Sequence, residues 1–317
     1  MAPGIQTVKL RREFNGVAAV DSIDIACELG HIHAFIGPNG AGKTTTIRML
    51  ATMLAPSDGD ALIMGHSIID EPEEVRKQIG FVPDWFAASG SATVHEYLDF
   101  FARACRLKGQ ARLAAVDRVE GITGLGAIRE KFIDSLSRGM QQRLSVGRAL
   151  INDPPVMLMD EPAANLDPKA RIEFRELVRK LAASGKAILI SSHILAELSE
   201  ICDSVTIIDK GRILASGSIA SIMAATRTGI IKAKLHALGS REDIARALQA
   251  IDGISSLAAA GVFFEFDIAG DEAKAAQTLK RIVDGGVQVL DFRTDSGGLE
   301  SVFMAVTAAE EKTEAKK

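Results

Sequence analysis

Two short stretches of this chain carry residue types that could act together on a phosphoanhydride. Gly37-Pro38-Asn39-Gly40-Ala41-Gly42-Lys43-Thr44 fits G-x-x-x-x-G-K-[ST] at every position. Glycines at this spacing let successive backbone N–H groups turn inward and approach phosphate oxygens. Lys43 would reach β- and γ-phosphates and the Thr44 hydroxyl would ligate Mg2+; Thr45 follows on the same turn. Ordinary residue frequencies predict about 0.01 such matches in a chain of this length, so chance is a poor explanation. The competing reading, a Gly-rich turn that binds nothing, loses further ground to the context: the apolar run 31–36 enters the loop and the helically spaced segment 43–54 leaves it.

The second stretch is Val156-Met157-Leu158-Met159-Asp160-Glu161, an apolar strand ending in two carboxylates. In a parallel sheet, strand ends of this kind lie along the ligand-binding edge, beside a phosphate loop. Asp160 there suits Mg2+ held through its water shell. Glu161 suits polarising a water for in-line attack on a γ-phosphate. The alternative is a pair of acidic residues capping a strand at a solvated turn, which Pro162 would also allow; an intact phosphate loop elsewhere in the chain weighs against it.

The elements that must position these groups alternate. Residues 155–160 and 187–192 are short buried runs without alternation, as parallel strands are, 79–82 reads as a short strand, and 94–107, 111–120 and 168–183 read as helices. Strands 204–209 and 212–215 flank the turn Lys210-Gly211 and read as a closing hairpin. This is an α/β order. After about residue 224 the texture changes. Alanine becomes frequent and the order is strand 229–236, helix 241–251, strands 253–259 and 262–268, helix 271–284, strand 287–293 and a short helix 299–307. That β-α-β-β-α-β order predicts a small α+β, ferredoxin-like domain. Residues 308–317, small and charged, are expected to fray.

Composition narrows the classes. The 317 residues carry 37 Lys and Arg against 41 Asp and Glu, a net charge of −4, and aromatics make up 5%. Neither a basic nucleic-acid binder nor a base-stacking platform is favoured, and no nucleic-acid partner is expected. Cys27, Cys105 and Cys202 are widely spaced, which argues against a disulfide framework or a cysteine zinc site. No run of 18 apolar residues offers a membrane span, and Met1–Leu10 does not read as a signal peptide. A membrane role would have to come through a partner.

Further motifs identify a family. Leu136-Ser137-Arg138-Gly139-Met140-Gln141-Gln142-Arg143 resembles the signature of the ATP-binding-cassette (ABC) ATPases, usually Leu-Ser-Gly-Gly-Gln. Ala164-Asn165-Leu166-Asp167 resembles the family's D-loop. His193, after strand 187–192, stands where the family has its switch histidine, and Phe14 where an aromatic ring stacks on adenine. The resemblance covers about residues 5–220, with the motifs in the family's order. Two positions depart from it. Asp84 follows Ile79-Gly80-Phe81-Val82-Pro83 where the family has Gln, and Arg138 and Met140 replace Gly and Gln in the signature. Asp is itself a Mg2+ ligand. Ser137 can still cap the next helix and Gly139 still permits close backbone approach. These substitutions, and more weakly Leu299-Glu300-Ser301-Val302-Phe303, resemble the export-type (ABC-2) branch.

The resemblance implies a P-loop NTPase cassette over 1–224, with a mixed sheet core and a helical subdomain at about 85–150. An accessory α+β domain would follow over 225–307, with a flexible tail at 308–317. It implies an ATPase binding ATP and Mg2+. Phe14, residues 37–45, Ser137, Gly139 and Asp167 would contact nucleotide, Thr44, Asp84 and Asp160 would serve the metal, and Glu161 and His193 would be catalytic. It further implies a second cassette, identical or paralogous, and an integral membrane permease that holds the chain at the cytoplasmic face of the membrane. Trp85 and Phe86 would lie in the docking groove. Other histidines (His31, His33, His66, His95) are read as surface or hydrogen-bonded groups, Arg143 and Arg148 as structural, and Met157 and Met159 as core. A free-standing regulatory or remodelling ABC ATPase is the alternative. A P-loop kinase conflicts with the signature and the D-loop.

Overall fold

A computed structural model describes residues 3–86, 90–164, 166–193, 198, 200–225 and 230–295. The expected helix at 299–307, the tail and the Leu299–Phe303 resemblance lie outside the described residues. The chain divides into two compact units, Met1–Ile219 and Ala220–Lys317.

The first unit contains β1 (Ile5–Phe14), β2 (Val17–Ile23), β3 (Ala26–Cys27), β4 (Ile32–Ile36), α1 (Lys43–Leu50), β5 (Asp58–Ile63), β6 (His66–Ser67), α2 (Pro72–Gln78), β7 (Ile79–Val82), α3 (Val94–Ala104), α4 (Gly109–Thr123), α5 (Arg138–Leu150), β8 (Val156–Met159), α6 (Pro168–Ala183), β9 (Ala187–Ser192), β10 (Ser204–Asp209) and β11 (Arg212–Ser218). Its strands form two sheets. One is antiparallel, β2-β1-β5-β6 with β3 paired to β1. The other has the order β11-β10-β4-β9-β8-β7 and is parallel except for the β10–β11 hairpin. The strands β4, β8 and β9 are buried along their whole length. That is why they are mainly apolar without alternation, His33 of β4 and the two serines that end β9 excepted: a sheet covered on both faces has no polar side to alternate with.

Register in the parallel sheet sets up the site. Ile207 pairs with Ile36, Met159 with Ile190, and Val82 with Met159, so the C-terminal ends of β10, β4, β9, β8 and β7 are almost level. The loop after β4, Asp84 after β7, Asp160 after β8 and the end of β9 therefore leave the sheet along one edge. The helices are shaped by local chemistry. α1 stops at Leu50, four residues short of the sequence expectation, and Thr52 beyond it has φ 57°. α3 starts at a capping box, Thr93 with Glu96, and ends three residues early, with Arg106 at φ 61°. α6 starts at Asp167 with Pro168 at its first position. It buries Phe174, Leu177, Val178 and Leu181, a stripe worth about 1.5–3 kcal/mol per side chain.

The helix α7 (Ile219–Ala225) spans the division between the units. The second unit continues with β12 (Ile230–Leu238), α8 (Arg241–Gln249), β13 (Ile254–Ala260), β14 (Phe263–Ala269), α9 (Glu272–Asp284) and β15 (Gln288–Asp295). Its antiparallel sheet runs β13-β14-β12-β15. That is the strand order of a ferredoxin-like fold. Ile231, Leu235, Phe264, Phe266 and Ile268 share a core with Leu248 of α8 and Ile282 of α9, while the alternate positions Lys232 and Lys234 are exposed.

Candidate functional site

The loop from Gly37 to Gly42 joins β4 to α1. Gly37 N–H donates to Ser192 O at 3.4 Å, and Gly211 N–H donates to Ala41 O at 3.0 Å, which fixes the loop between β9 and the β10–β11 turn. Two glycines are sterically required. A Cβ on Gly37 would lie 2.2 Å from Ile208 O, and Gly42, at φ 108°, would put one 2.5 Å from Ala19 O. The first turn of α1 holds no acidic side chain, so no residue of the helix itself offsets its N-terminal positive end. Lys43, 5% exposed, donates to Gly37 O at 2.7 Å and Pro38 O at 3.0 Å and lies 3.2 Å from Glu161 Oε1. A small pocket is lined by Ala19, Asn39, Gly40, Gly42, Lys43, Thr44, Thr45 and Glu161.

The acidic end of β8 faces this loop. Asp160 is 2% exposed and its N–H donates to Val82 O at 2.9 Å. Burial raises its carboxyl pKa, hydrogen bonds from Ser191 and Thr44 oppose the rise, and the negative charges of Asp84 and Glu161 add to it. Glu161 has φ 44°. Its carboxylate hydrogen-bonds His193 Nδ1 on one oxygen and pairs with Lys43 on the other. Residues from three separate elements, Lys43, Glu161 and His193, are thus connected. Among the described residues no cluster of three or more His, Cys, Asp or Glu has metal-binding geometry. The donors near Asp160 are instead a hydroxyl and carboxylates, hard oxygens whose mutual repulsion a cation would relieve. This donor set fits Mg2+, which characteristically takes one or two protein carboxylates plus substrate phosphates.

Other expected residues lie elsewhere in the unit. Ser137, at the N-terminus of α5, accepts from Met140 N–H at 3.4 Å, and Asp167 accepts from Ala170 N–H at 2.9 Å. A Cβ on Gly139 would meet Ala170 Cβ at 2.8 Å, so the starts of α5 and α6 are packed together. None of the three lines the pocket around Lys43. Phe14 is 43% exposed at the end of β1, with the Arg12 guanidinium 4.6 Å from its ring centroid. Asp84 is exposed just beyond β7. Trp85 is 74% exposed, and the Phe86 ring lies 5.8 Å from that of Tyr97 of α3, which is tilted against the Phe101 ring at 4.9 Å. Of the D-loop, Asn165 lies outside the described residues.

Sequence reasoning missed Ser191, which bonds both acidic residues; its signal is a pair of hydroxyls ending the otherwise apolar β9. It also missed Ala19 and Arg12, whereas Arg148, read as structural, donates to Phe81 O at 3.3 Å and lies 5.5 Å from the Phe101 ring. His31, His33, His66 and His95 are surface or hydrogen-bonded groups, as expected. His33 is buried with both ring nitrogens bonded, to Ser204 and Thr206, and His95 bonds Glu120.

The sequence model described as ABC transporter matches residues 20–164. The chain is 31% identical over 307 residues to the daunorubicin/doxorubicin resistance ATP-binding protein DrrA of Streptomyces peucetius, covering 96% of this chain and 92% of that protein. It is 37% identical over 218 residues to the Nod factor export ATP-binding protein I of Ralstonia nicotianae, covering 68% of this chain and 67% of that one. Among solved structures, an ATP-binding subunit of an ABC transporter superposes with a TM-score of 0.63 at 29% identity, over 70% of this chain and 92% of the other.

Proposed function

The chain belongs to the ABC transporter family as an ATP-binding, ATP-hydrolysing subunit of export type, and from that premise we propose how its residues work and what they work with. The convergence of Lys43, Glu161 and His193 over the phosphate loop is the observation that carries the reading. Lys43 and the loop amides bind the β- and γ-phosphates. Glu161, held against a cationic neighbour and a histidine, takes a proton from the attacking water. His193 orients the Glu161 carboxylate and contacts the γ-phosphate. Thr44, Asp160 and Asp84 hold Mg2+, which when bound neutralises charge on the phosphates. Phe14 and the Arg12 guanidinium on its ring form a platform for the adenine.

The signature residues stand apart from the phosphate loop of their own chain, so one chain does not complete a site. Ser137 and Gly139 begin α5 with an open N-terminus, suited to the γ-phosphate of a second cassette. Two cassettes meet head to tail around two ATP molecules, with Asp167 at the seam. Among the described residues no helix is long and apolar enough to cross a membrane, and the work is delivered to a separate permease. Trp85, Phe86 and the aromatic side chains of α3 form its docking surface, and through the permease the subunit works at the cytoplasmic face of the membrane. DrrA's name couples it to drug resistance and the Nod factor protein's to export; export is the direction proposed here. Steady-state ATPase assays with and without Mg2+ test the hydrolytic reading: Glu161→Gln should bind ATP with unchanged affinity yet lose activity by about 10²-fold or more, and an active variant would contradict it.

A further inference from the structure

Ser191 is fully buried near the end of β9, one residue past Ile190, which pairs with Met159. That register sets it level with Asp160. Its hydroxyl accepts from Glu161 N–H at 2.8 Å and donates to Asp160 Oδ1 at 2.8 Å. A hydroxyl has one proton and two lone pairs, and an amide N–H can only donate, so the order runs from the Glu161 amide through Ser191 to the Asp160 carboxylate.

The arrangement answers a geometric problem. Consecutive residues of an extended strand point to opposite faces, yet Asp160, whose charged form the Thr44 hydroxyl favours, and Glu161, which pairs with Lys43, both act on the same helix start. The chain manages this by leaving the strand conformation at Glu161, which adopts φ 44°. L residues hold that left-handed conformation only where their surroundings impose it. The hydrogen bond to Ser191 Oγ is the contact that holds the turned amide. We infer that Ser191 is a positioning residue for hydrolysis: its hydroxyl fixes the turn that brings two adjacent carboxylates to one phosphate site. The inference rests on the reading of Glu161 as the group that activates water.

The test uses the full chain, with Ser191→Ala, Ser191→Thr and Ser191→Val made in the native protein and in Glu161→Gln. Melting temperature reports folding, equilibrium binding of a labelled non-hydrolysable ATP analogue reports the nucleotide site, and kcat and KM for ATP are taken separately. Ser191→Ala should lower kcat about tenfold or more, the scale of a misplaced catalytic group, with KM and analogue affinity within about threefold. Thr and Val have nearly the same shape, and only Thr should restore kcat toward the native value. In Glu161→Gln, Ser191→Ala should cost less than twofold further, because the group it positions is already gone. An unchanged kcat in folded Ser191→Ala, equal activity of the Thr and Val variants, or the same proportional loss in both backgrounds would overturn the inference. If both β-branched variants fail to fold, the alanine variant in the two backgrounds decides it alone. Native kcat in Glu161→Gln would instead refute the reading of Glu161 itself.

Discussion

The ammonium of Lys43 lies 3.2 Å from the carboxylate of Glu161 and ties the phosphate loop to the acidic end of β8. Its other contacts are the carbonyls of Gly37 and Pro38, so its three protons face three acceptors. In the proposed reading a bound phosphate would compete with Glu161 for this cation and free a carboxylate oxygen, so that binding and base activation would meet at one side chain.

Lys43→Ala should therefore lower ATP affinity sharply and abolish turnover. Equilibrium titration with a labelled ATP analogue measures it. Affinity unchanged within about threefold, or ~0.65 kcal/mol, would contradict the assignment of the loop.

Trp85 exposes 74% of its surface beside the half-buried Phe86. At that exposure Trp85 is not a core residue, and the proposed docking surface would use it as an anchor. Trp85→Ala should leave basal ATPase and melting temperature close to native and abolish the response of the ATPase to a reconstituted permease. A variant that loses its fold would assign Trp85 to the core.

The strands β4, β8 and β9 were readable because burial on both faces leaves a mainly apolar run without alternation, and β12 and β14 of the second unit because their buried positions alternate. The antiparallel sheet was not. β1 reads Ile-Gln-Thr-Val-Lys-Leu-Arg-Arg-Glu-Phe, and register shifts break its pairing with both β2 and β5, so polar and apolar positions lose their period. The phosphate loop and Asp160-Glu161 were legible as motifs because their chemistry is local in sequence. Ser191 was not, since its role depends on Ile190 standing opposite Met159 and on a left-handed turn at Glu161. Gly139 illustrates a third limit: the sequence suggested close approach, and the structure finds Ala170 there, a neighbour 31 residues away in sequence.

The second unit has its own core, built from Ile231, Leu235, Phe264, Phe266 and Ile268, none of which belongs to the main cluster of the first. A chain ending at Ala225 should stay in solution and bind ATP within about threefold of the full chain's affinity. An insoluble product, or one that does not bind nucleotide, would show that the first unit does not fold alone.

His33 supplies a pH dependence. Burial lowers its pKa from 6.5 to about 4, so the folded chain keeps it neutral while the unfolded chain protonates it. Between those values the unfolded state binds more protons, so stability falls as pH falls from about 6.5 and levels off near 4. His33 alone contributes a loss of about 2 kcal/mol between pH 7.5 and pH 5. Urea denaturation of native and His33→Asn proteins at the two pH values measures it: the variant should show a smaller drop. Equal drops would mean that other groups govern acid sensitivity.

The shared site is tested most directly by size. Glu161→Gln keeps the shape and hydrogen-bonding capacity of the side chain but not its basicity, so ATP should still bind, two cassettes should close, and opening by hydrolysis should fail. On a sizing column, ATP with Mg2+ should shift Glu161→Gln from monomer to dimer, the native chain much less so. Adding Ser137→Arg, which puts a bulky cation at the exposed start of α5, should abolish the shift. A Glu161→Gln dimer that forms equally well with Ser137→Arg would contradict a nucleotide site built from two chains.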